Sequence, residues 1–191
     1  MDALQALLTR RSPAQLREPA PDGPALQTML DAAMRAPDHG KLRPWRFLVL
    51  RGDARARFGA LMAESLKRRD PTATPPLLEK ERVKPLRAPL IVVVAAEIVE
   101  GHKIPAVEQL LAAGAAAQNL QLAAHALGFG AVWRTGAPAY DPFVKQALGF
   151  KVSDAIVGFM YLGTPDVHAP AAPAPDASGS KSIGLVRDWT G

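Results

Sequence analysis

The side chains in this sequence with the most chemical potential are arginines and small polar clusters. Arg10, Arg11 and Ser12 stand together where an apolar-periodic segment ends. Two fixed cations and a hydroxyl suit a phosphate; arginines at a helix C-terminus also simply complement its dipole. Arg35, Asp38 and His39 surround a proline breaker, as an aspartate-led turn with surface polarity would also require. Trp133, Arg134 and Thr135 lie in or just after a strand, where an aromatic core residue with polar neighbours is the plainer reading.

Several familiar sites are absent from the sequence. It contains no G-x-x-x-x-G-K-[ST], no G-x-S-x-G and no H-E-x-x-H, and its four histidines, His39, His102, His125 and His168, have no ligand spacing. No metal site is expected. With zero cysteines there is no thiolate nucleophile and no disulfide framework, which fits a cytoplasmic protein. Gly128-Phe129-Gly130 runs into Ala131, Val132 and Trp133, so a third glycine is missing and a helix-to-strand turn accounts for both that are present. Any catalysis must be carried by something other than a side-chain nucleophile.

These clusters need positioning elements. An amphipathic helix is expected from Asp2 to about Arg11, with Leu4, Leu7 and Leu8 on one face, and a second from Ala25 to Arg35 with Leu26, Met29, Leu30 and Ala33 at helical spacing. A loop, Pro37 to Pro44, leads to a strand, Trp45 to Leu50. A helix from Asp53, as N-cap, to Arg68 precedes a breaker cluster and a short charged helix near Leu78 to Leu86, so residues 69–89 read as a mobile flap. Leu90 to Ala96 is apolar on both faces and should be a central strand.

Pro105 opens the longest element, running to Leu127 with Gly128 as its terminator. Glu108, Gln109, Gln118, Asn119, Gln121 and His125 interrupt it too often for a membrane span, so it is expected as a buried helix packed all round or against its own copy. Strands at Ala131 to Thr135 and Ile156 to Leu162 flank a helix from Asp141 to Leu148. Residues 167–182 are rich in alanine and proline, and a short apolar return follows at Ile183 to Val186.

The 191 residues suit a single domain able to close a core unaided. The opening MDALQALLTRRS, with an acid second and arginines last, is the reverse of a secretory signal. The net charge of +5 gathers mid-chain at Lys67, Arg68, Arg69, Lys80, Arg82, Lys84 and Arg87, interleaved with Glu79 and Glu81. A solvated helix face is the plain reading of that run. No aromatic residue lies between Arg69 and Arg87, so the stacking platform of a nucleic-acid binder is missing and no nucleic-acid partner is expected.

In order along the chain, MDALQALLTRRS, RAPDHGKLRPWRF, RAPLIVVVAA, AAHALGFGAVWRTGA and IVGFMYLGTP resemble the nitroreductase family of flavoenzymes, specifically its compact YdjA-type branch. The resemblance implies an α+β fold: a helix-flanked, largely antiparallel sheet with a long central helix, in an intertwined homodimer with FMN in each interface cleft. It implies that Arg10, Arg11 and Ser12 bind the flavin phosphate and ribityl chain. It further implies that Arg35 reaches the flavin of the partner subunit, that His39 lies beside the cofactor, and that Trp133, Arg134 and Thr135 flank it. Ala123, Ala124, His125, Ala126, Leu127 and Gly128 would meet NADPH or NADH. The implied activity is hydride transfer from NAD(P)H through FMN to a small oxidising substrate, with flavin storage or sensing as the non-catalytic alternative. Lys41 and Arg43 depart from the asparagine and glutamine common in the family before Pro-Trp.

Overall fold

The computed structural model describes residues 1–166 together with Arg187 and Trp189; the alanine- and proline-rich stretch, His168 and the return at Ile183 to Val186 lie outside the described residues. The chain order is α1 (Ala3–Thr9), β1 (Leu16–Arg17), α2 (Gly23–Ala33), β2 (Trp45–Arg51), α3 (Asp53–Arg69), α4 (Pro75–Val83), β3 (Leu90–Ala96), α5 (Ala106–Ala126), β4 (Gly130–Arg134), α6 (Ala137–Tyr140), α7 (Pro142–Ala147) and β5 (Ala155–Pro165). Single 3-10 turns at His39–Lys41 and Lys84–Arg87 complete it.

The strands form one antiparallel sheet in which β2 pairs β3, β3 pairs β5, and β5 also carries β4 and the two-residue β1. β3 is central, and each of its seven residues is buried, as its unbroken β-branched run requires. Strand alternation then sorts the core into two layers. Val92, Val94, Met160 and Leu162 face α2 and α5; Ile91, Val93, Phe159 and Tyr161 face Phe58 and Met62 of α3 and Val144 of α7.

α5 buries Gln109, Ala112, Ala113, Ala116, Ala117, Leu120, Gln121 and Ala124, a stripe at three- and four-residue spacing. Its opposite face, with Val107, Leu110 and Leu111, is exposed, so within one chain the helix is packed on one side and not all round. The helix ends as Gly128 requires. Leu127 caps it, Gly128 takes φ +83°, the Phe129 N–H reaches the Ala124 carbonyl at 2.8 Å and the Gly128 N–H reaches that of His125 at 3.0 Å.

Several boundaries differ from the expected ones. Asp53 is the first residue of α3 and Gly52, at φ +50°, is its cap, because an immediate turn out of β2 needs a left-handed residue. Asp2 does cap α1, accepting from the Gln5 N–H at 2.8 Å. Residues 69–89 form a helical arm laid on α3, where Gly59 leaves room for the Arg82 backbone: a Cβ there would lie 1.9 Å from the Arg82 carbonyl oxygen.

Candidate functional site

The end of α1 is fixed from two sides. The Thr9 hydroxyl meets His125 Nε2 at 2.8 Å, tying it to the last turn of α5. Pro13 and Leu16 pack over Gly130, where a Cβ would lie within 2.7 Å of both. Arg10 therefore leaves α1 beside the start of β4, and its Nη1 is buried without a hydrogen-bond partner. A buried guanidinium N–H is rarely left unpaired, because desolvation without a hydrogen bond costs about 1–3 kcal/mol. It fits an anionic oxygen. Arg11 and Ser12 are exposed alongside it.

From Pro13 a cavity of about 420 Å³ runs beside β4, lined by Gln15, Arg87, Val132, Arg134 and Tyr161. A second, of about 340 Å³, continues past the end of β4 between Met62, Lys84, Trp133, Thr135 and Phe159, and shares Arg87, Arg134 and Tyr161 with the first. Gly130 and Arg134 lie about 14 Å apart at strand rise. The groove thus begins at Pro13, just after the cationic cluster that follows α1, and ends at the cluster after β4; Arg10, Arg11 and Ser12 themselves do not line it.

The residues Trp133, Arg134 and Thr135 do not act as one block. Trp133 pairs with Met160 and turns to the α5 layer; Arg134 pairs with Phe159 and turns to the α3 layer. The indole crosses the bulge of β5, where its N–H donates to the Val157 carbonyl at 3.1 Å, and Gly158 has no Cβ because one would lie 2.2 Å from Trp133 Nε1. Its hydrogen-bonding capacity is already used. Arg134 instead spreads over the Tyr161 ring, 5.8 Å from its centroid. Burial pushes the Tyr161 phenol up to about 12 against the pull of Arg134 and Arg87, so the hydroxyl stays a neutral donor.

Two expected site residues lie elsewhere in this chain. His39 pairs through Nδ1 with Glu108 at the N-terminal end of α5, and Gly40 beside it leaves room only for Ile104. Since Thr9 is tied to His125 at the other end, the two clusters are separated by about 26 Å of helix. Arg35 borders an apolar groove of about 390 Å³ between α1, α2 and α5, opposite Ala123 and Ala126. Ala123 to Ala126 are the last turn of α5, and Leu127 and Gly128 its cap.

The loop after His39 is strained: Lys41 and Arg43 both have positive φ, +57° and +49°. Asp38 holds it by accepting from the Arg43 N–H at 2.6 Å.

Tyr161 escaped the sequence reading, whereas the basic stretch from Lys80 to Arg87 could be read there as a contact for the extra phosphate of NADPH. Lys84 and Arg87 belong to a charge run that reads as a solvated face. The RAPLIVVVAA block did carry Arg87, and its position one turn before a central strand was the available signal. Among the described residues no group of histidine or acidic side chains could hold a metal, and no helix is long and apolar enough to cross a membrane.

A family model for the nitroreductase family matches residues 7–164. The chain belongs to the nitroreductase family. It is 46% identical over 169 residues to an Escherichia coli K12 protein provisionally named NAD(P)H nitroreductase YdjA, covering 88% of this chain and 91% of that one. A nitroreductase-like family protein of Bacillus cereus shares the fold with TM-score 0.81 at 24% identity, over 100% of this chain and 97% of that one. A Desulfovibrio desulfuricans protein provisionally described as a nitroreductase, crystallised in complex with FMN, superposes with TM-score 0.70 at 26% identity, over 99% and 98% of the two chains. Family membership makes this chain an oxidoreductase of nitroreductase-like α+β fold, and it accounts for the missing nucleophile.

Proposed function

We propose that this nitroreductase-family protein is an FMN-dependent oxidoreductase that takes hydride from NADPH or NADH and reduces a small oxidising substrate such as a nitroaromatic or quinone. The observation that carries the reading is the buried, unpartnered Arg10 Nη1, three residues before Pro13, where the groove begins. Arg10, with Arg11 and Ser12, holds the FMN phosphate; Trp133, Arg134 and Thr135 flank the ring at the far end. FMN, when bound, supplies hydride acceptance and onward electron transfer, and the protein binds, orients and polarises. The last turn of α5, from Ala123 to its cap at Gly128, meets the nicotinamide nucleotide. The cysteine-free sequence suits the cytoplasm.

The working unit is a homodimer. Arg10 and His39 stand at opposite ends of α5, too far apart to serve one flavin from one chain. A second copy with α5 antiparallel brings the His39 end of one chain to the Arg10 end of the other. The exposed stripe of Val107, Leu110 and Leu111 and the exposed Leu4, Leu7 and Leu8 of α1 are the apolar surfaces such a pairing would cover.

Purified protein should carry FMN that NADPH or NADH bleaches anaerobically. Double-reciprocal plots should be parallel, because nicotinamide and oxidant take turns in one cleft. Bound flavin that neither nucleotide reduces would leave a flavin holder, and intersecting lines would count against alternation.

A further inference from the structure

The cavity past the end of β4 carries more positive charge than its surroundings neutralise. Its lining includes Arg69, Lys84, Arg87 and Arg134 but only one carboxylate, Glu81. Glu81 is bonded to Lys84, and Arg69 leans on Asp141 at 3.7 Å. The exposed side chains of Arg87 and Arg134 have neither a hydrogen bond nor a carboxylate partner among the described residues, and both stand where the two cavities join. What they share is Tyr161, only 4% exposed, whose ring takes the Arg134 guanidinium but cannot neutralise it. On the functional reading above the FMN phosphate goes to Arg10, before the Pro13 end of the groove, so the oxidised cofactor brings no charge to match these two.

We propose that Arg87 and Arg134, converging on Tyr161, form a seat for an anionic oxygen group, carboxylate or phosphate, on the molecule that exchanges electrons in this cleft. The proposal rests on the oxidoreductase reading above and adds the ligand class. Two guanidinium forks match a pair of anionic oxygens better than a lone ammonium does. Met62 and Phe159 supply an apolar wall beside them, so the fitting ligand is a flat aromatic monoanion or a nucleotide phosphate next to its nicotinamide.

The full chain loaded with FMN is titrated with benzoate, with uncharged benzamide as the control, and the flavin visible band is followed. Benzoate should perturb the band and bind at least about tenfold more tightly than benzamide, as a charge-assisted hydrogen bond predicts. Arg87→Ala should weaken benzoate by about 10- to 150-fold and leave FMN affinity within about twofold of wild type. Arg87→Lys should recover part of the loss, and Arg134→Gln should weaken benzoate in the same direction if Arg87→Ala does not fold.

The two ligand sources separate kinetically. A fall in the kcat/KM ratio of 4-nitrobenzoate to 4-nitrobenzamide in Arg87→Ala assigns the seat to the oxidant's carboxylate; a parallel rise in KM for NADH and NADPH with that ratio held assigns it to the dinucleotide's phosphates. Equal binding of benzoate and benzamide, or unchanged benzoate affinity in both arginine variants, overturns the seat. So does a loss of FMN affinity in Arg87→Ala as large as the loss of benzoate affinity, since Arg87 would then be a cofactor ligand. If the chain takes up no FMN, the functional reading fails separately, and calorimetric benzoate titration of the chain alone still decides the seat.

Discussion

Replacing Arg10 by alanine should separate binding from folding. In the cofactor-free chain Nη1 is buried without a partner, so the side chain contributes a penalty of about 1–3 kcal/mol, set against about 0.3–1 kcal/mol gained from a cation at the end of α1. Arg10→Ala should therefore leave cofactor-free stability unchanged or slightly raised. Binding behaves in the opposite way. A guanidinium–phosphate hydrogen bond is worth about 1.5–3 kcal/mol, which weakens FMN by about 10- to 150-fold. At a flavin concentration 100 times the wild-type Kd, FMN stabilises the wild type by about 2.7 kcal/mol; a 100-fold weaker variant would gain about 0.4 kcal/mol. Urea denaturation with and without FMN reads both quantities from one preparation, and Arg10→Lys should fall between, keeping charge without the planar fork. A variant that loses more than about 1 kcal/mol when cofactor-free, yet binds FMN as the wild type does, would show that Arg10 serves only the helix end.

Sedimentation at micromolar concentration should show a dimer; Leu111→Asp, at a position 66% exposed in the single chain, should give monomers that no longer retain FMN, and a stable FMN-bearing monomer would refute the shared cleft. Gly59→Ala forces a Cβ against the Arg82 carbonyl oxygen and should cost about 1–3 kcal/mol in urea denaturation. Glu97 is hydrogen-bonded by Lys151 at 3.1 Å and paired with Arg46, and these cations hold its carboxyl below the usual range. A carboxyl lowered in the folded state stabilises above its unfolded value and loses that contribution as pH falls through its folded value. Glu97→Gln should therefore cost about 0.5–1 kcal/mol at neutral pH, and the difference should vanish once the wild-type carboxyl is protonated; a pH-independent difference would point to packing.

Local signals were legible wherever the sequence had one dominant cause. The β-branched run at Leu90–Ala96 had no alternative to a central strand, and Gly128 after an alanine-rich helix could only be a left-handed terminator. The first cationic cluster could be read either as a phosphate-compatible set or as arginines complementing a helix end, and nothing in its spacing could reveal that Arg10 Nη1 would be buried and unpartnered. The cavity was not legible. It brings together Arg87 from a turn before β3, Arg134 from β4 and Tyr161 from β5, and strand pairing decides which side chains share a face. Trp133 and Arg134, adjacent in sequence, go to opposite layers for the same reason.

α5 shows why the proposed site would stay incomplete in a single chain. Its sequence is apolar on both sides, yet β3, β4 and α2 can cover only the Gln109-to-Ala124 stripe. The unused side begins with Val107, Leu110 and Leu111, next to the His39–Glu108 pair, and the buried end closes at His125 against Thr9. One helix therefore ties a residue expected beside the flavin at one end to the segment proposed to hold its phosphate at the other. A rod about 30 Å long keeps those ends apart within a chain, and only a symmetry-related rod running the opposite way can set them side by side. In the proposed dimer the apolar surplus on α5 and the division of the site between its ends are two consequences of one arrangement, and Leu111→Asp should disrupt both together.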